Sequence, residues 1–497
     1  MKKFITGLLV IIFVPVFTQA QDLADALRYS GFQVQGTARA GAMGNAFGAL
    51  GGDFTSVSIN PAGLGLYRAG EFVLTPAFGQ SKVETSYRGN FMEDSKYNFS
   101  FSNLSYVSTL QTGNNSETGL VNVNVGIGYN RLKDFNTTML AGASDLDGSF
   151  LDYVADNATI GNWSDHYEEL AWQTDLLLYD EENNVYWHDL EEAGYGQSQQ
   201  KSTAKEGSID EYSLALGLNF NHKLYLGASI GIIDVFYNES SELLEEDENN
   251  SIPYFNSMRF SSKLTTNGTG YNGKIGIIYK PVNQVRIGAS LQTPTFYNLH
   301  DAFDTQMNSS ITYDEGDMEN YEDYHLSDYD YDLETPLRAT LSGAFVIAKK
   351  GLISLDYEFV DYSSSSLRRG GGNYNFVDEN SEIAEAYRAV GNLRIGGELL
   401  ATSNISLRAG YELYPSPYNS AAFGVSQPNA DASTNVLSAG LGYRSGGFFF
   451  DIAYRMTSSD AYDSLYPAPP TDFYTQPEMA HIETSRSQVL FSLGFKF

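Results

Sequence analysis

Ser487-Gln488-Val489-Leu490-Phe491-Ser492-Leu493-Gly494-Phe495-Lys496-Phe497 ends the chain. In an extended backbone Val489, Phe491, Leu493, Phe495 and Phe497 share one face, and Gln488, Ser492, Gly494 and Lys496 share the other. Period-two alternation of this kind makes a β-strand with one apolar and one polar face. A soluble sandwich produces the same pattern. A final strand of this length closing on phenylalanine points to a transmembrane β-barrel, with the apolar face on lipid and the polar face on a lumen.

The N-terminus agrees with that compartment. Lys2 and Lys3 precede a mostly apolar run, Phe4 to Phe17, and Thr18-Gln19-Ala20 supplies small residues before Gln21. This reads as a secretory signal peptide over residues 1–20, too short for a membrane helix. No later segment approaches the roughly 18 apolar residues that a membrane helix needs. Mean hydropathy is −0.28, which a barrel tolerates because only alternate residues meet lipid. There is no cysteine, so stability in an oxidising compartment must come from a closed strand ladder and packing. A net charge of −31 excludes nucleic acid as a partner, because phosphates select basic surfaces. Aromatic residues make up 14 %, with 35 Tyr and 30 Phe, as the girdles at two membrane interfaces require.

Fourteen alternating segments can be read, near 70–87, 96–110, 117–135, 208–222, 224–240, 257–280, 284–299, 333–348, 352–363, 388–401, 404–414, 434–445, 447–458 and 484–497. Short joins alternate with long ones, as tight periplasmic turns alternate with extracellular loops, and an even count returns both ends to the periplasm. The expected fold is therefore an all-β, antiparallel transmembrane barrel of about 14 strands over residues 70–497. Residues 21–69 form an N-terminal hatch inside its lumen. The Gly/Ala-rich run Gly36 to Asp53 suits close packing in a confined space.

Several features carry candidate function. Lumen-side charges include Lys274, Arg286, Arg338, Arg394, Glu398, Arg408, Glu412, Asp451 and Arg455; buried ions usually pair with one another. In the second strand Phe99 and Phe101 share a face, but Leu104 and Tyr106 take the opposite parity. A bulge at Ser102-Asn103 restores the facing. The segment 136–207 holds all three tryptophans, Trp163, Trp172 and Trp187, and forms either an apolar capture platform or a cap with its own small core. The segment 300–333 has no Lys or Arg and reads as a solvated acidic loop, since no EF-hand spacing is present.

Ser58-Ile59-Asn60-Pro61-Ala62-Gly63-Leu64-Gly65, placed just before the first strand, resembles the Asn-Pro-Ala signature of the FadL/OmpP1/TodX outer-membrane transporters. The stretch Gly268 to Pro281 followed by Val285-Arg286-Ile287-Gly288-Ala289-Ser290 is similar to a second hallmark hairpin of that family. The resemblance spans the mature chain. It implies a fourteen-stranded barrel with a hatch in which Asn60, Pro61 and Ala62 take part, and a cargo of hydrophobic small molecules such as long-chain fatty acids. The cargo would be captured at extracellular loops, held in an inner pocket and released sideways into outer-membrane lipid, bypassing lipopolysaccharide. The family places its wall opening at a kinked third strand. Gly126 and Gly128 lie in that strand here, whereas the bulge at Ser102 and Asn103 lies one strand earlier. The family also uses a basic group for the ligand head, for which Arg286, Arg338 and Arg394 are candidates.

Enzymatic readings find little support. Gly227-Ala228-Ser229-Ile230-Gly231 matches G-x-S-x-G but sits within an alternating strand, not at a strand-to-helix turn. The six histidines, read in loops or turns, show no zinc spacing, so no catalytic residue, metal or cofactor is expected. Two alternatives remain: a barrel scaffold or shuttle in protein secretion, with a protein partner at the extracellular loops, and a receptor for haem-like ligands.

Overall fold

The computed structural model describes residues 23–112, 119–313, 318–348, 350–369, 374–424 and 427–497; the expected signal peptide lies outside them. Fourteen antiparallel strands close into a barrel. In chain order they are β1 (Glu71–Tyr87), β2 (Asn90–Gln111), β3 (Leu120–Asp134, resuming as Thr137–Ala143), β4 (Ser198–Phe220) and β5 (Leu224–Glu246). Next come β6 (Phe255–Val282), β7 (Val285–Gln292, resuming as Phe296–Thr312), β8 (Met318–Glu334, resuming as Arg338–Ile347) and β9 (Gly351–Asp361). The last five are β10 (Ala389–Leu400), β11 (Ile405–Tyr414), β12 (Thr434–Ser445), β13 (Phe448–Ser464) and β14 (Met479–Lys496). Each pairs with its neighbours, and β14 closes on β1 from Glu71↔Lys496 to Ser86↔His481. Reciprocal backbone bonds between Gly70 and Phe497, at 2.9 and 3.0 Å, seal the periplasmic end.

The outer belt follows from the alternation. Ile230, Ile275, Leu341 and Leu437 are each more than 60 % exposed, which in lipid is the favourable state. The opposite faces carry the charges. Phe495 and Phe497 face outward, as expected from the terminal pattern.

Several strands run past the membrane. β6 has 28 residues, against the roughly 9–11 that a tilted strand needs to span it. The segment 300–333, expected as a loop, is instead the tall hairpin of β7 and β8, paired in register from Phe296↔Glu334 to Thr312↔Met318. Its acidic residues alternate with inward residues, so the charge that suggests a loop belongs to the outward face of an alternating strand. His300, His325 and His481 likewise lie on strands rather than in turns.

The segment 136–207 resolves into two parts. Residues 137–143 continue β3, and residues 198–207 begin β4. Between them a cap built on α3 (Phe150–Thr159), α4 (Glu168–Gln173) and α5 (Asp189–Ala193) covers the lumen. Phe150, Leu151, Leu170 and Leu176 pack with the inward faces of Met258, Phe260 and Met307. Buried Glu245 accepts from Ser149 Oγ at 2.5 Å, Phe150 N at 2.9 Å and Gln199 Nε2 at 2.6 Å, which pins the start of α3 to the wall. The alternative of a folded cap is thus the observed one.

Residues 23–70 run within the barrel. After α1 (Leu23–Ser30), the short helix α2 (Ala38–Ala42) is capped by Thr37. The backbone then threads against wall glycines. A Cβ on Gly410 would lie 2.1 Å from Gly44 N, and one on Gly396 would lie 2.1 Å from Met43 O. Glycine on both sides lets two backbones touch, which explains the Gly/Ala composition of this segment. Asn60 caps the 3-10 turn Pro61–Leu66 by accepting from Ala62 N at 3.1 Å, and its Nδ2 donates to Gly48 O at 2.7 Å and to Ile277 O of β6 at 3.2 Å. Pro61 supplies the first residue of the turn, and Ala62 packs on Tyr225 and Ile278.

Two outcomes test this packing. A Cβ at Gly276 would stand 1.9 Å from Asn60 Oδ1, so Gly276→Ala is expected to loosen the hatch by about 1–3 kcal/mol. The measurement is faster amide exchange over residues 44–66 with the barrel ladder unchanged. In the cap, burial pushes the Glu168 carboxyl up to about 7, opposed by the hydrogen bond from Ser164 N. Burial first, then neighbouring His325, pushes His166 down to about 4. The raised Glu168 stabilises the folded cap below its unfolded value near 4.5 and loses that contribution as pH rises to about 7. The depressed His166 works in the opposite sense, its contribution being lost as pH falls from about 6.5 towards 4. Glu168→Gln is therefore expected to stabilise the cap by up to about 3 kcal/mol at pH 8 and to have little effect at pH 4.5. Tryptophan fluorescence reports this directly, since every tryptophan is in the cap.

Candidate functional site

The ladder between β2 and β3 is incomplete. It runs from Gln111↔Asn122 to Asn103↔Asn130 and stops. Above that point β2 continues to Asn90 paired only with β1. The register of β1 against β2 shifts where Thr75↔Asn103 gives way to Pro76↔Phe101, leaving Ser102 without a partner residue. Ser102 and Asn103 both point inward and are buried, as the parity change requires. The bulge thus stands where the two strands part.

The third strand breaks on the other side of the gap. Its register against β4 shifts between Arg131 and Lys133, and Phe135-Asn136 interrupt it. Asp134 holds the turn by accepting from Asn136 N at 2.9 Å, and Arg486 donates to Asp134 O at 2.7 Å and to Asn136 O at 3.0 Å. The resumed strand then lies against inward-facing residues of β1, with Thr85 Oγ1 donating to Leu140 O and Ser81 bonded to Thr137 at 3.2 Å. The strand therefore bends into the lumen at residues 134–136. Gly126 and Gly128 do not bend it. They lie in the paired part, where a Cβ would meet the Phe54 ring at 3.0 and 2.4 Å. Their role is to seat a hatch phenylalanine.

Side chains and hatch backbone close the seam. Asn98 Nδ2 donates to Asp134 Oδ2 at 2.6 Å, Tyr129 Oη to Phe101 O at 3.1 Å and Lys96 Nζ to Glu206 Oε1 at 2.6 Å. Gln33 N and Gln35 N donate to Leu132 O and Arg131 O, each at 2.9 Å. The hatch thus stands in for the missing strand. Gln35 Oε1 also accepts from Ser102 Oγ at 3.3 Å and from Gln488 Nε2 at 3.0 Å. Outside, Phe78, Phe99 and Phe101 form a contiguous aromatic strip, with ring centroids 4.9 and 5.3 Å apart.

Behind the seam lies a cavity of about 350 Å³. Phe32, Tyr362, Tyr414 and Pro415 give it apolar walls, and Lys133, Arg455 and Arg486 give it cations. Lys133 Nζ donates to Arg28 O at 2.8 Å and has no carboxylate within ion-pair range among the described residues. The three arginines expected from the sequence lie elsewhere. Arg338 and Arg394 share Glu358, at 2.9 and 3.4 Å. Arg286 donates to Leu50 O at 2.6 Å on the hatch floor. The pairing that buried ions require accounts for the first two. Lys133 and Arg486 were missed because only the break in β3 brings them together; the loss of alternation across Arg131-Leu132-Lys133-Asp134 was the available sign.

At the extracellular tip, Trp163 and Trp172 are 41 % and 43 % exposed and pack on Tyr186 with centroids 5.6 and 6.2 Å away. Among the described residues one trio, Asp460, His481 and Glu483, brings possible metal-ligand atoms within 4.8 Å of one another, on the exposed outer wall.

The family model described as outer membrane protein transport protein (OMPP1/FadL/TodX) matches residues 197–459, more than half of the chain. No curated protein sequence matches. Among solved structures, a FadL homologue of Pseudomonas aeruginosa is similar at 14 % identity and a TM-score of 0.57, covering 94 % of this chain and 100 % of that one. The toluene transporter TodX of P. putida is similar at 13 % identity and a TM-score of 0.51, covering 93 % and 98 %. These likenesses show the fold. With the family match over the barrel, they make this chain a member of the OMPP1/FadL/TodX family of bacterial outer-membrane transport proteins.

Proposed function

We propose that this protein carries hydrophobic compounds with an acidic head, of the long-chain fatty-acid class, through the lumen cavity and out into the membrane between β2 and β3. The observation that carries the reading is the cavity itself, lined by aromatic rings and by the cations Lys133 and Arg486, with the seam residues Gln35 and Asp134 in its wall. Its volume of about 350 Å³ falls in the range of small-molecule sites, about 300–1,000 Å³. Each methylene moved from water to such walls contributes about 0.8 kcal/mol, and one charge-assisted hydrogen bond to a carboxylate about 1.5–3 kcal/mol.

Exposed Trp163, Trp172 and Tyr179, gathered around half-buried Tyr186 on the cap, support capture from outside. The cap covers the lumen, so the compound reaches the cavity when the cap yields. Gln35 links the hatch to both the bulge and β14, which supports release controlled by the hatch: a shift of Gln33–Gln35 frees the edge of β3 and opens the seam. The aromatic strip on β1 and β2 then offers an apolar path to lipid. Such a path spares an apolar solute the polysaccharide layer and an aqueous pore.

Two experiments test this. Lys133→Gln is expected to weaken binding of a long-chain fatty acid about tenfold, and to leave its methyl ester unchanged, by calorimetry on detergent-purified protein. Equal losses for acid and ester would remove the head-group role. Asn98→Cys with Asp134→Cys, oxidised across the seam, is expected to retain fatty-acid binding and lose transfer to lipid vesicles, with reduction restoring transfer. Undiminished transfer in the oxidised protein would place the exit elsewhere.

A further inference from the structure

The lumen cations fall into two groups. Through the body of the barrel, Lys133 at the seam apart, carboxylates partner them: Arg338 and Arg394 share Glu358, Arg408 bridges Glu398 and Asp451, Arg455 holds Glu412 and Lys274 holds Glu211. At the periplasmic floor, Arg68, Lys223, Lys280 and Arg286 have no carboxylate within 4.0 Å among the described residues. The acids that reach this end are already engaged, Glu71 with Lys496 at 3.0 Å and Asp451 with Arg408 at 2.6 Å. In a chain with 61 acidic and 30 basic residues, four unpaired cations in one place run against the composition. Like charges gathered in one place repel one another.

The four come from separate elements that meet. Arg68 is on the tail of the hatch, Lys223 in the β4–β5 turn, Lys280 near the end of β6 and Arg286 at the start of β7. Lys280 N donates to Lys223 O at 2.7 Å. Lys280 lies in the fields of Arg286, Arg68 and Lys223, and Arg286 lies in those of Arg68 and Arg39. Arg286 Nε has no acceptor. Strand parity places Lys280 and Arg286 on the lumen side, with buried Ile278 and Ala344. Headgroups around the outer wall therefore do not reach the whole set.

We infer that the floor of the barrel is a docking surface for a carboxylate-rich polypeptide segment presented from the periplasm. Four charges spread over the hatch and three wall elements exceed what one small oxyanion touches, and they match an extended run of Asp and Glu. Such a segment joins Arg68 of the hatch to the wall beneath Leu50, so its docking bears on the hatch.

The test is anisotropy of a labelled hexaglutamate peptide titrated with the full-length protein in detergent, at about 20 and about 200 mM salt. Saturable binding at low salt is expected, weakened at high salt. It is expected to be at least about tenfold weaker in the combined Arg68→Gln, Lys223→Gln, Lys280→Gln variant, but unchanged in Lys82→Gln, Lys263→Gln at the extracellular end. Fatty-acid binding by the floor variant is expected to match wild type, which certifies its fold and separates this site from the lumen cavity. No saturable binding at low salt, or equal loss in the extracellular variant, overturns the inference. Displacement of the peptide by inorganic phosphate or by anionic phospholipid vesicles at matched charge also overturns it, and assigns the cations to free phosphate or to lipid.

Discussion

In hydrocarbon every backbone N–H and C=O must be satisfied within the protein, because no water is there to take its place. A closed ladder of fourteen strands meets that requirement, and it makes any local failure of pairing informative. One such failure stands where β2 and β3 separate above Asn103 and Asn130. The bulge at Ser102, the break at Phe135-Asn136 and the course of the hatch all converge there. Gln33 and Gln35 supply to β3 the hydrogen bonds that β2 withholds. The hatch is thereby part of the wall.

The lumen obeys a second constraint, that of charge. A dry, crowded interior tolerates ions that have partners, and the pairs around Glu358, Glu398, Glu412 and Asp451 hold the wall and the hatch in one arrangement. Arg39 on α2 reaches Glu398 at 3.2 Å, so the hatch is also tied in by an ion pair. The cations that depart from this rule are the interesting ones. Lys133 faces the cavity behind the seam, and the floor set faces the periplasm.

Much of the fold was legible because period two is a strong signal when repeated over many strands. The terminal Phe, the short turns and the parity change at Ser102-Asn103 all read directly. The bulge is the best example, since Leu104 and Tyr106 could face lipid only if a residue were inserted before them. The acidic hairpin of β7 and β8 did not read as strand, because its alternation is between carboxylates and tyrosines rather than between polar and apolar residues. The site was less legible. Arg338 and Arg394 stood out as inward charges, but whether an inward charge is free depends on a partner from a distant strand. The kink could not be placed from Gly126 and Gly128, because glycine in a strand equally marks a close approach, here of Phe54.

The most direct measurement is photo-crosslinking of a diazirine-bearing long-chain fatty acid to the protein in lipid vesicles, followed by peptide mapping. The account predicts adducts on the cavity walls at Phe32, Tyr362 and Tyr414 and along the free edge of β2 from Phe91 to Phe101. Adducts confined to the periplasmic floor around Lys280 and Arg286, with none on β2, would contradict lateral release.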